Sequence, residues 1–218
     1  MQAMSDHVQI PSGSARLDGE LSVPPNARGI VLFAHGSGSS RHSPRNQFVA
    51  RIIRDAGLGT LLFDLLTHDE ETEDLRTARL RFDIGLLAKR LVDATRWVAG
   101  QTETCRLGLG YFGASTGAAA ALTAATEIGP AIDAVVSRGG RPDLAGDTLQ
   151  RASSPTLLIV GSLDKPVLHL NEQTLARLRC EKKLVVIDGA SHLFQEVGTL
   201  DQVAHLSAEW FRQHLHTR

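Results

Sequence analysis

The sequence predicts a protein of the α/β class, with a mostly parallel central sheet flanked by helices on both faces. Short, continuous apolar runs such as residues 29–34 are typical of strands that are covered on both faces. These runs alternate with helix-length amphipathic segments, as in right-handed βαβ units. The chain has 218 residues, 42% of them hydrophobic, which suffices for one sizeable core. We expect a single domain over residues 1–218 without a sizeable lid domain.

The individual elements follow from apolar periodicity and from turn residues. Residues 15–23 alternate polar and apolar side chains and end at Pro24-Pro25, and Gly57 ends the first helix. The predicted strands cover residues 15–23, 29–34, 59–64, 106–112, 132–137, 155–160 and 183–187. The predicted helices cover residues 47–56, 75–99, 118–125, 166–178 and 200–215.

An acidic segment, residues 67–74, leads into the predicted long helix 75–99, whose N-terminus its carboxylates would stabilise. The segment contains one histidine, His68. A single histidine beside a run of carboxylates lacks the spacing of metal ligands, so we predict no metal and no cofactor. The G-x-G-x-x-G match at residues 108–113 lies within a predicted strand instead of opening a helix, which argues against a dinucleotide site.

Charge and cysteine content limit the functional classes. The net charge of −1 provides no general attraction for nucleic acid or acidic membranes. Cys105 and Cys180 lack metal or redox spacing and are predicted to be reduced thiols. The N-terminus has no signal-peptide pattern, and no apolar run is long enough to span a membrane. We therefore expect a cytoplasmic protein, monomeric or homodimeric, whose partner is a small molecule.

The most informative segment is Gly113-Ala114-Ser115-Thr116-Gly117, which joins a predicted strand to an alanine-rich predicted helix. A serine flanked by glycines at a strand-to-helix turn is the nucleophile-elbow pattern, in which a tight turn exposes the hydroxyl. Glycine is needed at the flanking positions because side chains there would collide. The alternative is a glycine-rich loop with a capping serine.

Asp164 and His192 each follow a later predicted strand, so the chain order is serine, acid, histidine. Because ligands bind beyond the carboxyl ends of parallel strands, these side chains are predicted to meet there. His192 would act as general base for Ser115, and Asp164 would fix the imidazole tautomer. Individually, Asp164 could instead cap the next helix and His192 could be an ordinary loop residue.

Two backbone N–H groups are predicted to bind the oxyanion of the tetrahedral intermediate, one from Thr116 and one from Ser37. Four further residues are candidates for substrate binding: Gly36, Arg41, Arg138 and Arg141. A guanidinium on the rim of the cleft could bind a carboxylate or phosphate. The alternative is a structural ion pair, for example of Arg138 or Arg141 with Asp143 or Asp164.

The chain resembles the α/β-hydrolases over about residues 15–216. Four motifs carry the resemblance: Ala34-His35-Gly36-Ser37-Gly38, Gly113-Ala114-Ser115-Thr116-Gly117, Gly161-Ser162-Leu163-Asp164 and Ala190-Ser191-His192. The compact size is similar to the dienelactone hydrolase-like branch. That branch uses a cysteine nucleophile and an acidic residue in the loop after the early strand. Here the nucleophile position is Ser115, and residues 35–46 contain no acidic side chain.

The resemblance and these two differences together imply a serine carboxylesterase-like hydrolase. It would act on small carboxylic esters or lactones through an acyl-enzyme on Ser115. Two alternatives stay open: an acyltransferase with the same triad, and a non-catalytic binding protein with a hydrolase fold.

Overall fold

The computed structural model describes residues 5–218. Its centre is one eight-stranded sheet with the spatial order β1-β2-β4-β3-β5-β6-β7-β8. The strands are β1 Ser5–Ser12, β2 Ala15–Ser22, β3 Gly29–Ala34, β4 Gly59–Phe63, β5 Gly108–Ala114, β6 Ala134–Arg138, β7 Thr156–Gly161 and β8 Lys182–Ile187. The predicted α/β class is confirmed.

The pairing of the strands creates the edge on which the candidate site lies. β1, β2 and β4 pair antiparallel, and every other neighbouring pair is parallel. Ala34 pairs with Gly113, and Ala114 pairs with Arg138. The carboxyl ends of β3, β5 and β6 therefore lie side by side, where open α/β sheets bind their ligands.

Helices cover both faces of the sheet. α1 and α6 pack on one face, and α3, α4 and α5 pack on the other. The buried alanines of α4 let this helix lie close to β5. The helices are α1 Pro44–Asp55, α2 His68–Thr77, α3 Ile84–Ala99, α4 Thr116–Ile128, α5 Lys165–Arg177 and α6 Thr199–His214.

The C-terminal segment fits into a groove lined by glycines of β3 and β5. A β-carbon on Gly29 would lie 2.6 Å from the Leu215 side chain, and one on Gly110 would lie 2.8 Å from the Phe211 ring. Real β-carbons do not approach other heavy atoms this closely, so these glycines are sterically required. The end of α6 is thereby fixed against the middle of the sheet.

The prediction of one long helix over residues 75–99 is wrong. The structure has two helices there, with a 3₁₀ turn Leu80–Phe82 between them. α2 begins in the acidic segment, where Thr67 and Glu70 form a capping box, and it ends at Ala78 in the left-handed conformation (φ 53°). Asp83 then caps α3 by accepting a hydrogen bond from the Leu86 N–H at 2.9 Å.

Two smaller differences concern β1 and α1. β1 is absent from the sequence prediction because its side chains are mostly exposed and lack an apolar run. α1 starts at Pro44, earlier than predicted, and its buried residues include Val49, Ala50 and Ile53. Proline is favoured in the first turn of a helix, where its missing N–H costs nothing.

Both cysteines are free thiols, as predicted. Within residues 5–218, no helix combines the length and the apolar character that a bilayer span requires.

Candidate active site

Ser115 lies at the tight turn between β5 and α4 in a conformation rare for a residue with a side chain, φ 50° and ψ −122°. A β-carbon on Gly113 would lie 2.5 Å from the Ala118 Cα, and one on Gly117 would lie 2.1 Å from the Ala34 carbonyl oxygen. Glycine at both positions is therefore required, as the sequence predicted. The Ser115 side chain is half-buried at the carboxyl edge of the sheet.

Asp164 and His192 are joined directly. Asp164 precedes α5, His192 lies in the loop after β8, and His192 Nδ1 is 2.6 Å from Asp164 Oδ2. Because a carboxylate only accepts, Nδ1 carries the proton and Nε2 is left with a free lone pair. The structure thus brings together two of the three predicted catalytic side chains.

The loops that carry this pair are locked to each other by their backbones. The Leu163 N–H donates to the Ala190 carbonyl at 3.0 Å, and the Ser162 N–H donates to the Ile187 carbonyl at 2.9 Å. A β-carbon on Gly161 would lie 2.2 Å from the Ala190 oxygen. This glycine permits the close approach of the two loops, which places Asp164 beside His192.

The end of β6 lies between Ser115 and His192. The Ser115 N–H donates to the Arg138 carbonyl at 3.3 Å, and a β-carbon on Gly139 would lie 3.7 Å from His192 Cε1. Within residues 5–218, no hydrogen bond joins Ser115 Oγ to His192. In ligand-free active sites such bonds are often long and tighten only when substrate binds.

The loop after β3 lies directly against the elbow. A β-carbon on Gly36 would lie 2.9 Å from Ser115 Cβ, and Ser37 Oγ is 3.1 Å from Thr116 Oγ1. In the described chain, neither the Ser37 N–H nor the Thr116 N–H has an acceptor. Thr116 opens α4, so its N–H is one of the free donors at the positive end of the helix dipole.

His35 holds this loop in place, a role that the sequence analysis missed. Its Nε2 accepts a hydrogen bond from the Leu65 N–H at 3.0 Å, and its Nδ1 donates to the Gly36 carbonyl at 3.0 Å. Burial lowers the pKa of His35, partly opposed by the Gly36 hydrogen bond. The neutral ring is therefore favoured, as the acceptor role of Nε2 requires.

A small cavity of about 30 Å³ lies beside these groups. Gly36, Ser37 and Thr116 line one side of it, and Leu65 and Leu87 are among the apolar lining residues. A volume of this size holds one or two ordered waters.

The three candidate substrate-binding arginines have different environments. Arg41 forms an ion pair with Asp64. Arg141 binds Asp143 through two hydrogen bonds, of 2.9 and 2.8 Å, which is the structural alternative considered for this residue. Arg138 is 8% exposed, and within residues 5–218 its side chain has no hydrogen-bond or ion-pair partner. Two of the three guanidinium groups are thus already neutralised by carboxylates.

Comparison with known proteins shows close relatives. A crystal structure described as dienelactone hydrolase from Anabaena variabilis is 56% identical, with a TM-score of 0.97, over 99% of this chain and 100% of that one. Est1E from Butyrivibrio proteoclasticus has the same fold, with a TM-score of 0.80 at 14% identity, over 95% of this chain and 98% of its own.

Proteins from two strains of Mycobacterium tuberculosis named "Putative phosphoribosyl transferase" are 55% identical over 210 residues, which is 96% of this chain and 46% of theirs. The chain thus spans about half the length of these curated relatives. No protein-family model matches the chain. The identity and full coverage of the Anabaena protein, together with the shared fold, show that the chain belongs to the dienelactone hydrolase-like family of α/β-hydrolases.

Proposed function

We propose that the protein is a serine hydrolase that cleaves small carboxylic esters or lactones through an acyl-enzyme on Ser115. The observation that carries this proposal is the conformation of Ser115, a non-glycine residue at φ 50° between two glycines that have no room for a β-carbon. Such strain persists only where the surrounding structure enforces it, and it clusters at active sites. Here it presents the hydroxyl at the carboxyl edge of the sheet.

The proposed first half-reaction uses the groups along this edge. His192 Nε2 takes the proton of Ser115 while Oγ attacks the ester carbonyl carbon, and Asp164 stabilises the imidazolium. The N–H groups of Thr116 and Ser37 donate to the oxyanion that forms. His192 then protonates the leaving alcohol, and the carbon–oxygen bond of the ester breaks to leave the acyl-enzyme.

In the second half-reaction, His192 takes a proton from water, and the resulting hydroxide attacks the acyl carbon. Collapse of this intermediate returns the proton to Ser115 and releases the acid. Loss of one oxyanion donor in such sites costs roughly 3 kcal/mol of transition-state stabilisation.

The position and lining of the cavity support binding of an acyl group beside the oxyanion donors. Ser37 and Thr116 line it together with the apolar side chains of Leu65 and Leu87. The relative described as a dienelactone hydrolase supports an ester or lactone as substrate. The relatives named as phosphoribosyl transferases are about twice as long as this chain. Their name therefore does not say which activity belongs to the part that they share with it.

Acyl transfer to an alcohol or amine would use the same first half-reaction, and product analysis with added acceptors separates it from hydrolysis. A non-catalytic binding protein would retain affinity for small molecules but would turn over no ester.

The test is covalent labelling by a fluorophosphonate, followed by peptide mapping, together with the burst kinetics of p-nitrophenyl acetate. We expect one label, on Ser115, and a burst of p-nitrophenol equal to the enzyme concentration. Ser115→Ala should abolish both, whereas Ser153→Ala, an exposed serine before β7, should retain both. A folded wild-type protein that is not labelled at Ser115 would refute the proposal.

A further inference from the structure

Arg138, the last residue of β6, carries a buried positive charge without a partner. It is 8% exposed, and its Nε and Nη1 are fully buried without any hydrogen-bond acceptor in the described chain. An unpaired charge and unsatisfied donors are costly to bury. A folded protein can retain such a group when a bound molecule supplies the missing acceptors and negative charge. The surroundings of Arg138 therefore indicate what binds there.

The alternation of β6 places Arg138 on the same face as α1. Ala134 and Val136 pack into the hydrophobic cluster that contains Val49 and Ala50 of α1. Side chains two residues apart in a strand share a face, so Arg138 projects from this face at the carboxyl end of the strand. Burial, and then the positive charge of Arg45 at the start of α1, lower the pKa of Arg138 to about 10. Arg45 lies at the start of the helix that covers this face, so both arginines belong to the same side of the sheet.

The start of α1 lacks both a side-chain cap and an acidic residue in its first turn. The Ser43 side chain makes no capping hydrogen bond, and the first turn contains no acidic residue. In the described chain, the backbone N–H groups of Arg45 and Asn46 have no acceptor, and Arg45 Nε is buried and unpartnered. A cation in the first turn is unfavourable beside the positive end of the helix dipole. A bound anion would remove this conflict.

We propose that Arg138, Arg45 and the N-terminus of α1 form a receptor for a phosphate monoester group carried by the substrate of Ser115. Two guanidinium groups and two free N–H groups match a dianion with three acceptor oxygens. A carboxylate offers one charge and two oxygens, which would leave part of this positive site unbalanced. Arg41 and Arg141, by contrast, are already paired with Asp64 and Asp143.

The backbone at the end of β6, which carries Arg138, lies next to the reacting groups. The Arg138 carbonyl accepts the Ser115 N–H at 3.3 Å, and Gly139 adjoins the His192 ring. A phosphate held here would place a nearby ester of the same molecule at Ser115. This part of the inference rests on the proposed ester hydrolysis, whereas binding of phosphate does not.

Binding is therefore tested first, in a variant that cannot hydrolyse a substrate. Ser115→Ala is titrated with phenyl phosphate at constant ionic strength. Calorimetry should show saturable binding, and the melting temperature of the protein should rise with the phenyl phosphate concentration. Arg138→Met in the same background should lower the affinity at least tenfold. Arg51→Met, which removes an exposed cation from the same helix, should leave the affinity unchanged.

The melting temperature without ligand separates binding from a structural role. Methionine keeps the apolar stem and removes the buried charge, so Arg138→Met should be at least as stable as its parent. Lower ligand-free stability with unchanged affinity would assign Arg138 a structural role and overturn the receptor. An absence of saturable binding to Ser115→Ala would also overturn it.

Turnover by the Ser115 enzyme then tests the substrate class. We expect a higher kcat/KM for the acetate ester of glycerol phosphate than for monoacetylglycerol, and Arg138→Met should reduce this preference about 10- to 100-fold. A preference for O-acetylglycerate over the phosphate ester would show a carboxylate receptor instead. Phosphate binding without turnover of any ester supports the receptor and refutes the hydrolase.

Discussion

Asp164 Oδ2 accepts a hydrogen bond from His192 Nδ1 at 2.6 Å, although 28 positions separate the two residues in the sequence. The contact depends on the pairing of β7 with β8 and on Gly161, which lets the loops after these strands touch. The carboxylate selects the imidazole tautomer whose Nε2 is free to accept a proton. The relationship is thus both a structural link between two loops and a condition for base catalysis.

Asp164→Asn should retain the fold and lose most of the activity. The amide can present its NH₂ group to Nδ1 and favour the opposite tautomer, which leaves no lone pair on Nε2. We expect kcat to fall by about 10³- to 10⁴-fold with an ester such as p-nitrophenyl acetate. The melting temperature should stay within a few degrees of wild type. Unchanged turnover in Asp164→Asn would show that the pair has no role in the reaction.

Because the backbone at Ser115 is strained, the stability of a variant at this position should depend on which residue replaces serine. Glycine adopts the φ of 50° and ψ of −122° found here far more readily than serine or alanine does. We expect Ser115→Gly to be more stable than Ser115→Ala by about 1 kcal/mol in urea denaturation, after allowance for the greater chain entropy of glycine. Neither variant should be labelled by a fluorophosphonate. Equal stabilities would show that the turn is not strained.

Gly117→Ala should damage both the fold and the site. Its β-carbon would overlap the Ala34 carbonyl oxygen at 2.1 Å, and a backbone atom cannot move aside without displacing β3. We expect a loss of about 3 kcal/mol in the free energy of unfolding. Activity should fall as well, because β3 leads into the loop that carries Ser37.

Gly85→Ala is the matched control, since both glycines are the second residue of a helix. A β-carbon on Gly85 meets only Asp83 Oδ1, at 3.4 Å. We expect this variant to be more stable by about 0.5–1 kcal/mol. A similar loss of stability in both variants would refute the steric explanation.

His35 should make the fold less stable in mild acid. Burial lowers its pKa in the folded protein below the ordinary value of 6.5, so the unfolded chain takes up a proton first as the pH falls. Stability should therefore decrease below about pH 6.5, by at most about 1.4 kcal/mol per pH unit, until the folded protein also binds the proton. Urea denaturation between pH 7.5 and 5.5 measures this slope.

His35→Gln removes this titration and can still accept the Leu65 N–H. It should be less stable than wild type at pH 7.5 but should show a shallower pH dependence between pH 6.5 and 5.5. His169→Gln, which replaces an exposed histidine on α5, should follow the wild-type curve. A wild-type slope retained in His35→Gln would assign the acid sensitivity to another group.

The sequence predicts most of the sheet because buried parallel strands are continuous apolar runs bounded by turn residues. Residues 29–34 match β3 from end to end. Two features escaped prediction. β1 is an edge strand with few buried side chains, so it lacks an apolar pattern. The break between α2 and α3 depends on the left-handed conformation of Ala78. Alanine rarely adopts this conformation, so the sequence gives no signal for it.

The candidate site was predictable where function demands fixed spacing along the chain. The elbow glycines and the order of Ser115, Asp164 and His192 are properties of the sequence itself. The partners of the arginines are only partly predictable. Arg141 pairs with Asp143, two residues further along the chain, which the sequence offers as an alternative to substrate binding. The lack of a partner for Arg138 within residues 5–218 depends on the arrangement of strands that are distant in the sequence.

The glycine groove of β3 and β5 makes the packing of these strands depend on a segment that is synthesised after both of them. These two strands precede the elbow and the Ser37 loop, yet Phe211 and Leu215 fill the space against Gly110 and Gly29. A nascent chain on the ribosome leaves this groove open to water until residues 211–215 have emerged from the exit tunnel. The packing of the two central strands is therefore completed only after translation has passed the end of α6.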